Sequence, residues 1–197
     1  VLSNDGNKIV VERLVLGGVA ISSLFGAIQA SLLLQVEDGR IQAALNWLIG
    51  SLNARGWEEI KFVFLPILIS LFIGLFLSRQ LNLLGLGDEL SVSLGNSLFR
   101  SRCLIGAIAT LLTACAVSIG GLIGFIGLIV PHFSRLLIGS DFKYILPFSA
   151  LLGALTLSSS DLISRLGPVE IPVGIVTALI GAPIFIFILY QKTSQKK

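Results

Sequence analysis

The side chains able to do covalent or metal chemistry are few and scattered. His132 is the single histidine, so a multi-histidine metal centre or a histidine dyad is excluded. Ser158, Ser159 and Ser160 adjoin Asp161, and with His132 as base they could supply the nucleophile of an intramembrane hydrolase. The sequence supplies no geometry for that pairing, and serines in membrane helices ordinarily bond to backbone or to a neighbouring helix. Cys103 and Cys115 lie on one apolar stretch, about 18 Å apart if helical, which is too far to bridge. No GxxxxGK[ST] loop occurs, so the chain has no nucleotide site of that kind. The reading is of a non-enzyme with no catalytic residue and no metal ligand, whose energy, where needed, comes from another chain.

The elements around these residues are apolar. Of 197 residues, 54% are hydrophobic and 13% charged, against roughly 25% charged in a soluble domain, and mean hydropathy is +0.94. The net charge is +3. The basic residues stand singly between apolar runs and never cluster, which excludes a nucleic-acid surface. Charge-free stretches run over Leu14 to Val36, Phe62 to Ser78, Tyr144 to Ser160 and Ile171 to Gln191, each long enough for a hydrocarbon core about 30 Å thick. A fifth stretch, Cys103 to Ser134, is too long for one span, and Gly120 with Gly121 in its middle suggests two short helices joined by a tight turn. The expectation is an all-α polytopic membrane bundle of about six spans. Val1 and the lack of any Met suggest a fragment, and the polar first dozen residues contain no signal-peptide core.

Lys and Arg accumulate on the cytoplasmic side of short loops. With Val1 inside, the inner segments hold Lys8, Arg13, Arg79, Arg100, Arg102, Arg135, Lys143, Lys192, Lys196 and Lys197, and the outer ones hold Arg40, Arg55, Lys61 and Arg165. Both termini are therefore expected to be cytoplasmic. The outer segment from Glu37 to Ile60 has an apolar middle with Trp47 beside Gly50, which suits a surface-lying or re-entrant helix. The inner segment, Gln80 to Phe99, reads as one or two small helices open to a soluble partner. Small residues recur at Gly18, Ser22, Gly26 and Ala30, at Gly120 and Gly124 with Gly127 beyond, and at Ala178 and Ala182, a pattern expected to seat helices closely in a tight bundle.

Gly121 to Leu136 reads GLIGFIGLIVPHFSRL, and Glu170 to Leu189 reads EIPVGIVTALIGAPIFIFIL. Three further stretches stand in order: ERLVLGGVAISSLFGA from Glu12, WLIGSLN from Trp47 and LNLLGLGDELSVSLG from Leu81. Together they resemble the permease subunits of ABC importers for ferric siderophores, haem and cobalamin (type II importers). Such permeases have ten spans, so the resemblance makes residues 1–197 the last six spans of a single permease domain, with a coupling loop at 80–99 inside it.

The resemblance implies roles for particular positions. Gly87, Asp88, Glu89, Ser91, Leu94 and Gly95 resemble the coupling helices that enter a cleft of the ATPase subunit, and Glu89 to Gly95 keeps the six-residue spacing of the broader importer loop. Ser22, Gly26, Trp47, Gly50 and Ser51 resemble the lining and gate of a pathway between two permease subunits. Arg165 resembles an outward arginine that pairs with a glutamate of the binding protein. Gly120, Gly121, Gly124, Gly127, Pro131, His132, Pro172, Gly174, Gly181 and Pro183 make up the structural signature. The implied partners are a second permease subunit, two cytoplasmic ATPases, a substrate-binding protein and the lipid bilayer of the bacterial inner membrane. No cofactor is bound directly, and ATP acts through the partner. The rival classes are a gradient-driven secondary transporter or channel, which would call for charged relays inside spans, and a truncated membrane scaffold.

Overall fold

The computed structural model describes residues 4–5, 8–9, 11–35, 38–53 and 55–194. Val1, Glu37, Lys196 and Lys197, which entered the orientation argument, lie outside these residues. Two-residue strands β1 (Asn4–Asp5) and β2 (Lys8–Ile9) pair antiparallel ahead of the helices. Then come α1 (Val11–Leu33), α2 (Asp38–Ile49), α3 (Trp57–Phe76), α4 (Ser78–Gly85), α5 (Asp88–Ser93), α6 (Leu98–Gly120), α7 (Ile126–Ile138), α8 (Phe142–Ser164) and α9 (Val173–Ser194).

Five of these helices, α1, α3, α6, α8 and α9, are long and apolar enough to cross a membrane. Of the six expected crossings, the remaining one falls on a shorter apolar helix. The helix after the Gly120–Gly121 break, α7, has 13 residues, or about 20 Å, short of a core about 30 Å thick, and it makes the return to the end where α8 begins together with the irregular segment 121–125 before it. Its predecessor α6 is a full span of 23 residues because it begins at Leu98 and takes Arg100 and Arg102 into its first turns. Long arginine stems can lie along a helix with their charges at the boundary, so charge-free length underestimates a span.

The half-helix still reverses the chain. Ser149 Oγ on α8 donates to Ser134 Oγ on α7 at 2.9 Å, and Val130 lies opposite Gly153, so α7 and α8 run antiparallel. α7 and α8 also pack on α9, α3 packs on α6 and α8, and α4 packs on α8. Hydroxyl-bearing residues are prominent among the buried positions, including Ser70, Ser101, Ser134, Ser160, Ser164 and Thr177, while large apolar side chains such as Phe62, Leu151 and Leu179 face outward. This is the distribution expected where lipid is the solvent and close approach drives packing. Among these hydroxyls only Ser70 Oγ has no hydrogen-bond partner.

The small-residue stripes do not do the internal packing expected of them. A side chain added at Gly18, Gly26, Gly124 or Gly127 would meet nothing within 4 Å, and no residue in the apolar window of α1 is buried. Ala178 and Ala182 line an open apolar groove together with Gly124 and Gly174. Apart from Gly120, which is buried at the end of α6, the stripes are surfaces within this chain. The glycines that seat helices against one another are Gly50, Gly121, Gly174 and Gly181, where an added Cβ would fall within 3 Å of neighbouring atoms.

Candidate functional site

The ends of the bundle carry different constructions. At one end, α4 and α5 form the two small helices expected between α3 and α6. α5 presents an exposed apolar knob: Leu86, Leu90, Val92 and Leu94 are each more than half exposed, and Gly87, Asp88, Glu89 and Gly95 are exposed beside them. The knob stands on a buried polar support. Ser91 is 0% exposed. The Asn96 amide donates to Ser91 Oγ at 2.9 Å, Ser101 Oγ donates to Asn96 Oδ1 at 2.6 Å, and Asn96 N–H donates to the Ser91 carbonyl at 3.0 Å. Arg102 pairs with Asp88 at 2.7 Å, so α5 is tied to α6 at two points. Of the residues expected to face an ATPase, Ser91 is instead internal, and Asp88 is held by α6. Gly95 turns the chain at φ +82° while its N–H donates to the Val92 carbonyl at 2.8 Å, a conformation and a donor that proline cannot supply.

At the opposite end, the C-terminus of α2 is clasped between the α6–α7 break and the start of α9. Ser51 N–H donates to the Gly120 carbonyl and Gly174 N–H donates to the Gly50 carbonyl, both at 2.9 Å. Gly121 and Gly174 let carbonyls approach closely. An added Cβ would lie 2.0 Å from Trp47 O at Gly121 and 1.8 Å from Ile49 O at Gly174. Gly121 also sits at φ +71°, which ends α6. Trp47, Gly50 and Ser51, expected at a gate, therefore share one clasp with Gly120, Gly121 and Gly174 of the signature stretches. Ser22 and Gly26 lie on the exposed surface of α1, away from it.

Gly181 admits the Phe125 side chain. Phe125 is at φ 66°, the one non-glycine residue with positive φ among those described, and starts α7. Pro131 lies inside α7, Pro183 inside α9, and Pro172 accepts at its carbonyl from Ile175 N–H at 3.0 Å, closing the turn that opens α9.

Arg165, just beyond α8, pairs with Asp161 one turn back, Nε to Oδ2 at 2.9 Å and Nη2 to Oδ1 at 3.1 Å. The Asp161 hydrogen bond, its charge and the nearby Glu170 hold the guanidinium above the usual arginine range. Arg165 is exposed, as an outward arginine requires, and is also paired within its own helix. The four-residue spacing to Asp161 was a signal for this pair that the sequence reading left unused. Asn53 donates to Glu170 across this end, and both line a small polar cavity with Asp161, Ser164 and Arg165.

The hydrolase constellation does not assemble. Ser159 and Ser160 donate to the Leu155 and Thr156 carbonyls of their own helix, and His132 meets the edge of the Phe133 ring. Among the described residues no group of three or more His, Cys, Asp or Glu is placed to hold a metal. Cys115 is buried and Cys103 exposed, both as free thiols.

Known proteins are similar to this chain. The cobalamin import system permease protein of Halobacterium salinarum is 41% identical over 180 residues, 91% of this chain and 48% of that protein. A Fe(3+)-citrate import system permease protein of Bacillus subtilis is 43% identical, covering 90% of this chain and 54% of that protein. The hemin transport system permease protein of Yersinia pestis is 37% identical, over 94% and 56% respectively. The chain thus spans about half the length of the curated relatives it matches. A solved structure described as an inward-facing metal-chelate type ABC transporter superposes with a TM-score of 0.85 at 38% identity, covering 91% of this chain and 59% of that one. With five helices able to cross a membrane, this is a multi-pass membrane protein. The profile of the FecCD transport family matches residues 1–191, and the chain belongs to that family.

Proposed function

We propose that the chain is the membrane permease part of an ATP-binding cassette importer that carries an iron–siderophore complex, or a related bulky chelate such as haem or cobalamin, into the cytoplasm by alternating access. The observation that carries this reading is the set of relatives near 40% identity across nine-tenths of the chain, named for cobalamin, ferric citrate and haemin import. The structure supports a division of labour within it. The exposed α5 knob on its buried polar support is built to receive force from a cytoplasmic ATPase without deforming, as a rigid-body transmission requires. The clasp at the far end joins α2 to α6, α7 and α9, so movement of those helices would carry the Trp47–Ser51 gate with it.

The remaining roles follow the same scheme. Gly87, Asp88, Glu89, Ser91, Leu94 and Gly95 form the coupling segment, with Ser91 and Asp88 acting through its internal bonds. Ser22 and Gly26, on the exposed stripe of α1, face the pathway and the second permease subunit. Arg165 and Glu170 form the rim that meets the substrate-binding protein. Two partner ATPases hydrolyse ATP, both termini are cytoplasmic, and the membrane is the plasma membrane. A gradient-driven carrier is disfavoured because the one acid in α8, Asp161, lies near its end and is paired with Arg165.

The test is ATP-driven uptake by proteoliposomes holding the permease with its ATPases and binding protein, with labelled ferric citrate, haemin and cobalamin as probes. Uptake of at least one probe that needs both ATP and the binding protein is expected. ATP-independent uptake driven by an ion gradient would overturn the reading.

A further inference from the structure

The α4–α5 segment is attached to the bundle at two separate places. α5 is bound to α6 through Ser91, Asn96, Ser101 and the Asp88–Arg102 pair. Where α4 packs on α8, the hydrogen bonds among the described residues run through Asn82, and there both ends of the amide are used. Its Nδ2 donates to Asp141 Oδ1 at 2.8 Å, and its Oδ1 accepts from Phe142 N–H at 3.0 Å. Asp141 is itself the N-cap of α8, accepting from Lys143 N–H at 2.9 Å. These bonds join residues about sixty positions apart, and they fall where α4 packs on α8.

A two-point amide bond resists both separation and rotation, whereas an apolar contact alone lets helices slide. One of the two acceptors is a carboxylate, which strengthens the bond. The Asn82 bond, then the Lys143 N–H, hold the Asp141 carboxyl below the usual aspartate range, so it stays an acceptor throughout the neutral range. We infer that Asn82 is a positioning residue that passes displacement of the coupling segment to α8, with Asp141 as its anchor. This inference rests on the permease reading above. α8 carries α7 and α9 on its flanks, so a pull at Asn82 would move the half-helix and the α9 side of the far clasp together.

The experiment uses the complete transporter in proteoliposomes, with uptake and ATP hydrolysis measured on the same preparation and with whichever of ferric citrate, haemin or cobalamin the wild type carries. Asn82→Ala should retain its ATPases and hydrolyse ATP at about the wild-type rate, while uptake per ATP falls about tenfold, the scale of a lost hydrogen bond to a charged group. Asn82→Asp, which sets two carboxylates together, should uncouple at least as strongly. The exchange N82D/D141N should recover coupling, because the amide introduced at 141 can donate to the carboxylate introduced at 82 while its oxygen still caps Lys143. Unchanged uptake per ATP in N82A, or loss of ATPase binding in that variant, would overturn the inference. Should N82A fail to fold and insert at all, recovery in the exchange relative to N82D supports the inference, and equal loss in both overturns it. A wild type that binds no ATPase would instead sink the permease reading before any variant is compared.

Discussion

Gly174→Ala should be among the most destabilising single-methyl additions available to this chain. The new Cβ would lie 1.8 Å from Ile49 O and 2.9 Å from Ile49 C, both backbone atoms that cannot swing aside. Relief to ordinary contact requires the start of α9 and the end of α2 to part by more than about an ångström. That movement breaks the 2.9 Å bond from Gly174 N–H to the Gly50 carbonyl. Overpacking of this kind costs about 1–3 kcal/mol and the lost hydrogen bond about 1 kcal/mol, giving about 2–4 kcal/mol out of a total of order 5–15. At roughly 2–4 °C per kcal/mol for a chain of this size, the midpoint should fall by about 5–15 °C. The assay is thermal unfolding of the purified permease in detergent, followed by loss of the monodisperse peak. Gly106→Ala is the control, because it lies on α6 with nothing within 4 Å of the added methyl and should show no loss. If G174A melts with the control, the Ile49 carbonyl does not rest on α9 and the clasp is wrong.

Three further outcomes are expected. Gly95→Pro removes an N–H bonded to Val92 and forbids the φ of +82°, so ATPase co-purification should be lost while membrane insertion is retained; co-purification at wild-type level would count against the coupling role. Arg165→Glu places an anion beside Asp161 and Glu170 and should weaken binding-protein docking, with a smaller effect at high salt; unchanged affinity at low salt would remove Arg165 from the docking rim. Ser70→Ala deletes a buried hydroxyl without a partner, so the melting midpoint should hold or rise by the equivalent of up to about 1 kcal/mol, and a drop of several degrees would show that the hydroxyl is bonded after all.

What the sequence made legible was whatever depends on local length and type. Uncharged runs marked five membrane-crossing helices, Gly120 and Gly121 marked the break before α7, and the polar stretch after Arg79 marked the small helices of the coupling segment. Two local readings went astray. Cutting α6 at Cys103 ignored the ability of Arg100 and Arg102 to ride in its first turns, so of the two short helices expected there the first is a full 23 residues and only the second is short. The small-residue stripes were expected to pack inside the chain, but periodicity shows that a helix has a smooth face without showing what covers it.

Backbone approaches and long-range polar bonds were beyond sequence reasoning. The carbonyls of Trp47 and Ile49 carry no sequence signature, so nothing distinguished Gly121 and Gly174, which are packed, from Gly124 and Gly127, which are open. Asn82 and Asp141, like Asn53 and Glu170, become neighbours only once antiparallel helices bring opposite loops to one end. Of the signature residues, Gly121, Gly174 and Gly181 have a steric reason to be glycine, and nothing in the structure explains Gly127.

The most direct test of the account is a crosslinking comparison between the two ends of the bundle. A cysteine replacing Leu90 on the α5 knob and one replacing Leu166 beyond α8 are separated by the length of α6 or α8, about 34 Å, and both positions are more than half exposed. With a short bifunctional reagent in the assembled transporter, the account predicts a permease–ATPase adduct from Leu90→Cys and none from Leu166→Cys. An adduct from Leu166→Cys with none from Leu90→Cys would contradict it, placing the coupling surface at the wrong end of the protein.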